Sequence, residues 1–138
     1  MTKLNRKVEY ALISLRYMRG KKPGELTSVK EIVQTFSCSF DLTSRVLQRL
    51  TAAGILRSAK GAQGGYQIIK DLADISFFTL NDLLAEPMGL TRCVQPDGAS
   101  CEIEQHCNII SPMKRFNQEL KGFYQKLSVD SLLEERND

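Results

Sequence analysis

Along the first part of the chain, apolar residues recur at three- and four-residue intervals. Val8, Ala11, Leu12, Leu15 and Met18 make one stripe, which predicts a helix over residues 5–19. Gly20-Lys21-Lys22-Pro23-Gly24 breaks it. Ser28, with Glu31 three residues on, has the spacing of a capping box and predicts a short second helix that buries Val29, Ile32, Val33 and Phe36. After the polar turn Ser37-Cys38-Ser39, a third helix is expected from near Asp41. It buries Leu42, Val46, Leu50 and Ala53 and stops at Gly54, the residue best suited to a left-handed cap. Two short helices across a tight turn are the helix-turn-helix pattern.

The period then changes. Residues 55–60 and 66–70 are short strand candidates, and Gly61-Ala62-Gln63-Gly64-Gly65 between them predicts a hairpin, or wing. Thr79 can cap a further short helix carrying Leu80, Leu83 and Leu84, which ends before Pro87. From Met88 to Ser111 the pattern is irregular, with Pro96, Gly98 and three cysteines. Pro112 is expected to open a long helix in which Met113, Phe116, Leu120, Phe123 and Leu127 are spaced 3, 4, 3 and 4, a heptad seam. The seam fits a dimer contact or a terminal helix packed on its own domain. The expected fold is mainly α with a small β-hairpin. A winged helix-turn-helix domain covers residues 1–86, a cysteine loop 87–111, and a dimerisation helix with its tail 112–138.

Composition narrows the class. With 42% hydrophobic and 25% charged residues in 138, the chain reads as an ordinary globular protein, neither disordered nor embedded in a membrane. No apolar run approaches the roughly 20 residues of a spanning helix, and the basic N-terminus lacks the apolar stretch of a signal peptide. A cytoplasmic location without membrane partners is expected. The net charge of +3 conceals an asymmetry: residues 1–70 carry 13 Lys or Arg against 4 Asp or Glu, a balance of +9, and the remainder carries 6 against 12, a balance of −6. A basic half joined to an acidic half suggests that one end meets a polyanion, although uneven solvated charge gives the same count.

The third helix is the one that would enter the major groove of double-stranded DNA. With Leu42, Val46 and Leu50 turned inward, its outward side holds Thr43, Ser44, Arg45, Gln48 and Arg49. Arginine can engage guanine, glutamine can engage adenine, and hydroxyls serve bases or backbone. Lys30, Ser39 and, at the wing, Lys60, Gln63 and Gly64 are candidates for phosphate contacts. There is no nucleotide-binding glycine motif, and no acid–base constellation surrounds the lone His106, so an enzyme is not expected.

Cys93, Cys101 and Cys107 lie in one irregular stretch, separated by seven and then five residues. Zinc sites usually show a close C-x-x-C pair, absent here, and cytosolic thiols are kept reduced, which disfavours a disulfide. Iron–sulfur centres are held chiefly by cysteine. Packing of three small residues under a loop is the plainer reading, but Pro96, Asp97, Gly98, Glu102 and Glu104 make the loop polar, which favours a metal or redox role. Cys38 stands apart and is expected to be a buried turn residue.

These elements resemble a known family, the winged-helix iron–sulfur transcription regulators of the IscR, NsrR and RirA kind. The matching residues are Glu9-Tyr10-Ala11-Leu12; Val46-Leu47-Gln48-Arg49-Leu50 with Ala53-Gly54-Ile55-Leu56; Lys60-Gly61-Ala62-Gln63-Gly64-Gly65-Tyr66; the cysteine loop; and Leu127-Ser128-Val129-Asp130-Ser131-Leu132-Leu133. The resemblance implies a homodimer whose long helix crosses its partner. It also implies an operator-binding regulator, in the repressor role, controlled by an iron–sulfur cluster that senses iron, redox state or nitric oxide. Cys93, Cys101 and Cys107 would be three ligands. Some members take the fourth from a histidine three residues after the last cysteine, where this chain has Ile110. Others use an acidic residue of the partner's first helix, a position matched by Glu9; His106 is the competing ligand. Lys60 stands where many members have arginine. The alternatives are a regulator without a cluster, using thiol–disulfide chemistry or zinc, and, behind it, an iron–sulfur electron carrier.

Overall fold

In a computed structural model describing residues 4–85, 89–95 and 101–135, the expected three helices and hairpin form a winged helix. Asn5 starts the first helix by accepting the Lys7 amide, and α1 runs Arg6–Arg19. Ser28 accepts the Glu31 amide at 3.1 Å and opens α2, Val29–Phe36. Ser37, at φ 56°, turns the chain in the left-handed region, and Ser39 caps α3, Phe40–Ala52. Gly54, at φ 80°, ends α3 as expected, and the Ile55 amide reaches back to the Leu50 carbonyl at 3.0 Å.

The hairpin pairs β1, Leu56–Ala59, antiparallel to β2, Gly65–Ile68, with Leu56 opposite Ile68 and Ala59 opposite Gly65. Thr27 bridges to Tyr66 through two backbone hydrogen bonds of 3.0 and 2.8 Å, docking the wing onto the entry to α2. A 3-10 turn, Leu72–Asp74, leads to α4, Phe77–Leu84. Ser76, not Thr79, caps α4: the Thr79 amide donates to Ser76 Oγ at 3.0 Å, so the helix begins a turn earlier than expected.

The long helix α5 runs Ile110–Lys126, two residues longer at its start than Pro112 implied, because a proline within the first turn removes no helical hydrogen bond. The chain then returns to the winged helix: Phe77 N donates to Leu127 O at 2.7 Å and Val129 N to Ile75 O at 2.8 Å, before the short α6, Val129–Leu133. Val129 and Leu133 join Val8, Ala11, Leu15, Ile32, Val46, Leu47, Leu50, Leu56 and Leu80 in one core. Arg19 clamps α6 to α1 through Asp130 Oδ1 at 2.7 Å and Leu133 O at 2.8 Å.

Burial corrects several expectations. On α2 only Ile32 is fully buried, and Phe36 is exposed, its ring meeting Tyr17 edge-on. On α3 Leu42 is only half-buried and Ala53 is exposed, whereas Leu47 and Thr43 are buried. The core lies toward the Thr43–Leu47–Leu50 side because α1 and α2 both pack there.

Candidate nucleic-acid interface

The turn before α3 is held by a contact that sequence reasoning missed. Ser39 N donates to the Tyr10 hydroxyl of α1 at 3.1 Å, so α1 fixes the point from which α3 departs. The only sequence signal was Tyr10 itself, a side chain with a polar tip at the border of the apolar stripe of α1. Ser39 Oγ itself is committed to the cap, accepting from Leu42 N at 3.4 Å.

Along α3, Arg45, Gln48 and Arg49 are exposed and Ser44 is half-exposed, as expected for a face that meets a ligand. Thr43 is the exception. Its side chain is fully buried, so it faces the core and not solvent, and among the described residues its Oγ1 has no hydrogen-bond partner. The exposed side chains are partly pre-engaged. Arg45 pairs with Asp41 at 3.1 Å, and Gln48 Nε2 donates to Ser44 Oγ at 3.4 Å. Arg49 donates to the Leu83 carbonyl in the last turn of α4 at 3.0 Å, which ties the candidate reading helix to the element that leads toward the cysteines. A cleft of about 700 Å³ opens here, lined by Asn5, Lys7, Arg45, Gln48, Arg49 and Asp82, among others.

Lys30 on α2 and Lys60 and Gln63 at the wing are exposed. The wing needs its glycines. Gly61 sits at φ 112°, and a Cβ on Gly64 would fall 2.3 Å from the Ala59 carbonyl oxygen. Gly64 N donates to Gly61 O at 2.9 Å, closing the tip.

Where α1 meets α2, Glu31 accepts from both Tyr17 Oη and Lys21 Nζ. The bond from Lys21, and then that from Tyr17, hold the Glu31 carboxyl below its ordinary range, while the hydrogen bond to Glu31 raises both Tyr17 and Lys21. Cys38, in the turn between α2 and α3, is buried as expected, and desolvation pushes its thiol up.

The three remaining cysteines are half-buried. Cys93 lies in a 3-10 turn, Arg92–Val94, whose start is fastened to α5 by Leu90 N donating to Asn117 Oδ1 at 3.2 Å. Thr91 Oγ1 lies 3.1 Å from Cys93 Sγ, and Arg92 pairs with Glu102 at 2.7 Å, joining the neighbours of Cys93 and Cys101. Cys107 follows a second 3-10 turn, Glu104–His106, on which His106 is exposed. Residues 96–100, with the expected loop residues Pro96, Asp97 and Gly98, lie outside the described residues. In number and kind the thiols fit an iron–sulfur centre with one position left for another donor. Among the described residues, however, no three Cys, His, Asp or Glu are gathered closely enough to hold a metal. Glu9 is half-exposed on α1 and paired with Arg6 at 2.9 Å.

The sequence profile of Rrf2, an iron-dependent transcriptional regulator family, matches residues 4–135. The HTH-type transcriptional regulator NsrR of Bacillus subtilis (strain 168) is 26% identical over 107 residues, which are 78% of this chain and 73% of that protein. The solved structure of CymR (YrzC), the global cysteine regulator of B. subtilis, superposes with a TM-score of 0.71 at 23% identity, over 96% of this chain and 97% of that one. IscR of T. potens gives 0.64 at 19% identity, over 96% and 86%. These two likenesses bear out the expected winged-helix fold. Among the described residues no helix is long and apolar enough to cross a membrane.

Proposed function

The chain belongs to the Rrf2 family of iron-dependent transcriptional regulators, and from that premise we propose that it represses transcription as an operator-binding homodimer governed by an iron–sulfur cluster. It is a transcription regulator and not an enzyme, as its relatives are. The observation that carries the finer reading is the set of three half-buried thiols on a segment pinned to α5, beside a helix whose apolar seam is open.

Cys93, Cys101 and Cys107 would hold the cluster, with Glu9 of the partner subunit as the remaining ligand; Glu9 must then leave Arg6. When bound, the cluster supplies a link that loss of iron, oxidants or nitric oxide can break. The chain's own residues carry the consequence to DNA. α5 positions the Cys93 turn through Asn117, and Arg49 joins the last turn of α4 to α3. A shift of the cysteine segment can therefore displace Arg49, Arg45 and Gln48. Two half-sites must lie about one helical turn apart, so small displacements of α3 matter. Lys30, Lys60, Gln63 and the hydroxyl proton of Ser39, which the cap leaves free, supply backbone contacts; the Gly64 amide, expected among them, is instead engaged by the Gly61 carbonyl and holds the tip closed. Ser44, Arg45, Gln48 and Arg49 face the bases.

Oxygen-free isolation followed by native mass spectrometry and iron and sulfide assay tests this directly. The reading expects a coloured dimer carrying iron and sulfide. In Glu9→Ala, folding is retained while operator affinity ceases to respond to loss of the cluster. Colourless material that cannot be reconstituted overturns the cluster.

A second reading, a thiol sensor without a cluster, is favoured by the likeness to a cysteine regulator and by metal donors that are not gathered among the described residues. It expects oxygen-free protein without iron whose DNA binding changes on thiol oxidation.

A further inference from the structure

Phe40 is the first residue of α3, next to the Ser39 cap, and 59% of it is exposed. It belongs neither to the core nor to the half-buried shell around it, and among the described residues no aromatic ring packs against it. A lone exposed apolar residue needs no explanation by itself. The position is what makes this one informative. In helix-turn-helix proteins the N-terminal residues of the second helix reach the base edges.

Phe40, Ser44 and Gln48 stand four residues apart, so they form one line along α3, and the Gln48–Ser44 hydrogen bond shows that the latter two share a face. The line offers a ring, a hydroxyl and an amide in order. It lies in the half of the chain with 13 Lys or Arg against 4 Asp or Glu, next to the exposed cation Arg45 on the same helix. Charge complementarity selects a polyanion as occupant, and the apolar feature of a major groove is the thymine methyl group.

We propose that Phe40 is a specificity residue that packs on a thymine methyl in each operator half-site, on the same line as the base read by Gln48. The proposal rests on the DNA-binding reading above and adds a base to it. Eight residues of helix rise about 12 Å, so the thymine lies within about four base pairs of the base facing Gln48, at about 3.4 Å per pair.

The test begins with an operator selected from a random duplex pool by the purified full-length protein, isolated without oxygen. Each thymidine is then replaced singly by deoxyuridine, which removes the methyl and leaves every hydrogen-bonding group. One thymidine per half-site is expected to matter, its replacement weakening binding about fourfold, the worth of one buried methyl-sized group. Phe40→Ala should bind the thymidine and deoxyuridine duplexes equally, at the affinity of the parent for the deoxyuridine form. Phe40→Leu should keep most of the methyl dependence, and urea unfolding of both variants checks that they fold. The proposal is overturned if no methyl matters, if the methyl effect persists in Phe40→Ala, or if that variant weakens both duplexes while its remaining preference for thymidine is unchanged. Absence of any salt-dependent DNA binding by the parent protein would instead overturn the DNA reading on which it rests.

Discussion

Thr43 carries its hydroxyl into the core on the face of α3 that also buries Val46, Leu47 and Leu50. A buried polar atom without a partner costs about 1–3 kcal/mol. Valine keeps the shape and removes the oxygen, so Thr43→Val should raise the urea midpoint, by about 1 kcal/mol of stability, with the m value unchanged. Operator affinity should stay within twofold, because the side chain does not reach solvent. A large loss of affinity in a stable variant would return Thr43 to the DNA face. Arg49 behaves differently, since its guanidinium is exposed yet already bonded to the Leu83 carbonyl. A substitution at Arg49 therefore also releases α4 from α3.

The elements are joined by backbone contacts that tolerate little added volume. A Cβ on Gly65 would sit 2.6 Å from the Thr27 carbonyl oxygen, where both neighbours are main chain. Gly65→Ala should break the Thr27–Tyr66 bridge and cost about 1–3 kcal/mol. The melting temperature should fall by about 3–10 °C. Operator binding should weaken too, as the wing leaves its place.

Between α1 and α2, the Tyr17–Glu31–Lys21 cluster gives stability a defined pH range. Glu31 is lowered, so its contribution is present above the unfolded carboxylate value of about 4.3 and is lost as pH falls through the folded value. Lys21 and Tyr17 are raised, so theirs are complete below about 10 and are lost as pH rises through their folded values. Glu31→Gln should flatten both limbs of a urea-midpoint profile measured from pH 3 to 11. Unchanged limbs would show that the cluster does not set them.

At the scale of the molecule, α5 buries no residue fully and leaves Phe116 53% and Phe123 61% exposed, while Tyr124 packs edge-on against Phe77 of the domain. One side of the helix is anchored and the other is open. The proposed dimer places the partner's α5 on the open side. Phe116→Glu with Phe123→Glu should then give a folded monomer by sedimentation, since neither ring contributes to the core. Loss of the second half-site should weaken operator binding by about 100-fold or more. A double variant that stays dimeric would move the dimer contact elsewhere.

Except for the short α6, the α-helices, the left-handed stop at Gly54 and the hairpin were legible in the sequence because each depends on neighbours a few residues apart: a cap, a period, a glycine. So was the candidate site in kind, with Arg45, Gln48, Lys60 and Gln63 found exposed and Cys93, Cys101 and Cys107 on one segment. What remained was decided by contacts between residues distant in the chain. The rotation of α3 about its axis, which buries Thr43 and frees Ala53, is set by α1 and α2 packing on one side. The bond from Arg49 to α4, the hydroxyl of Tyr10 under the turn and the return of Val129 and Leu133 to the core join elements that no local pattern relates. A local period reports which residues share a side of a helix, and only packing decides which way that side faces.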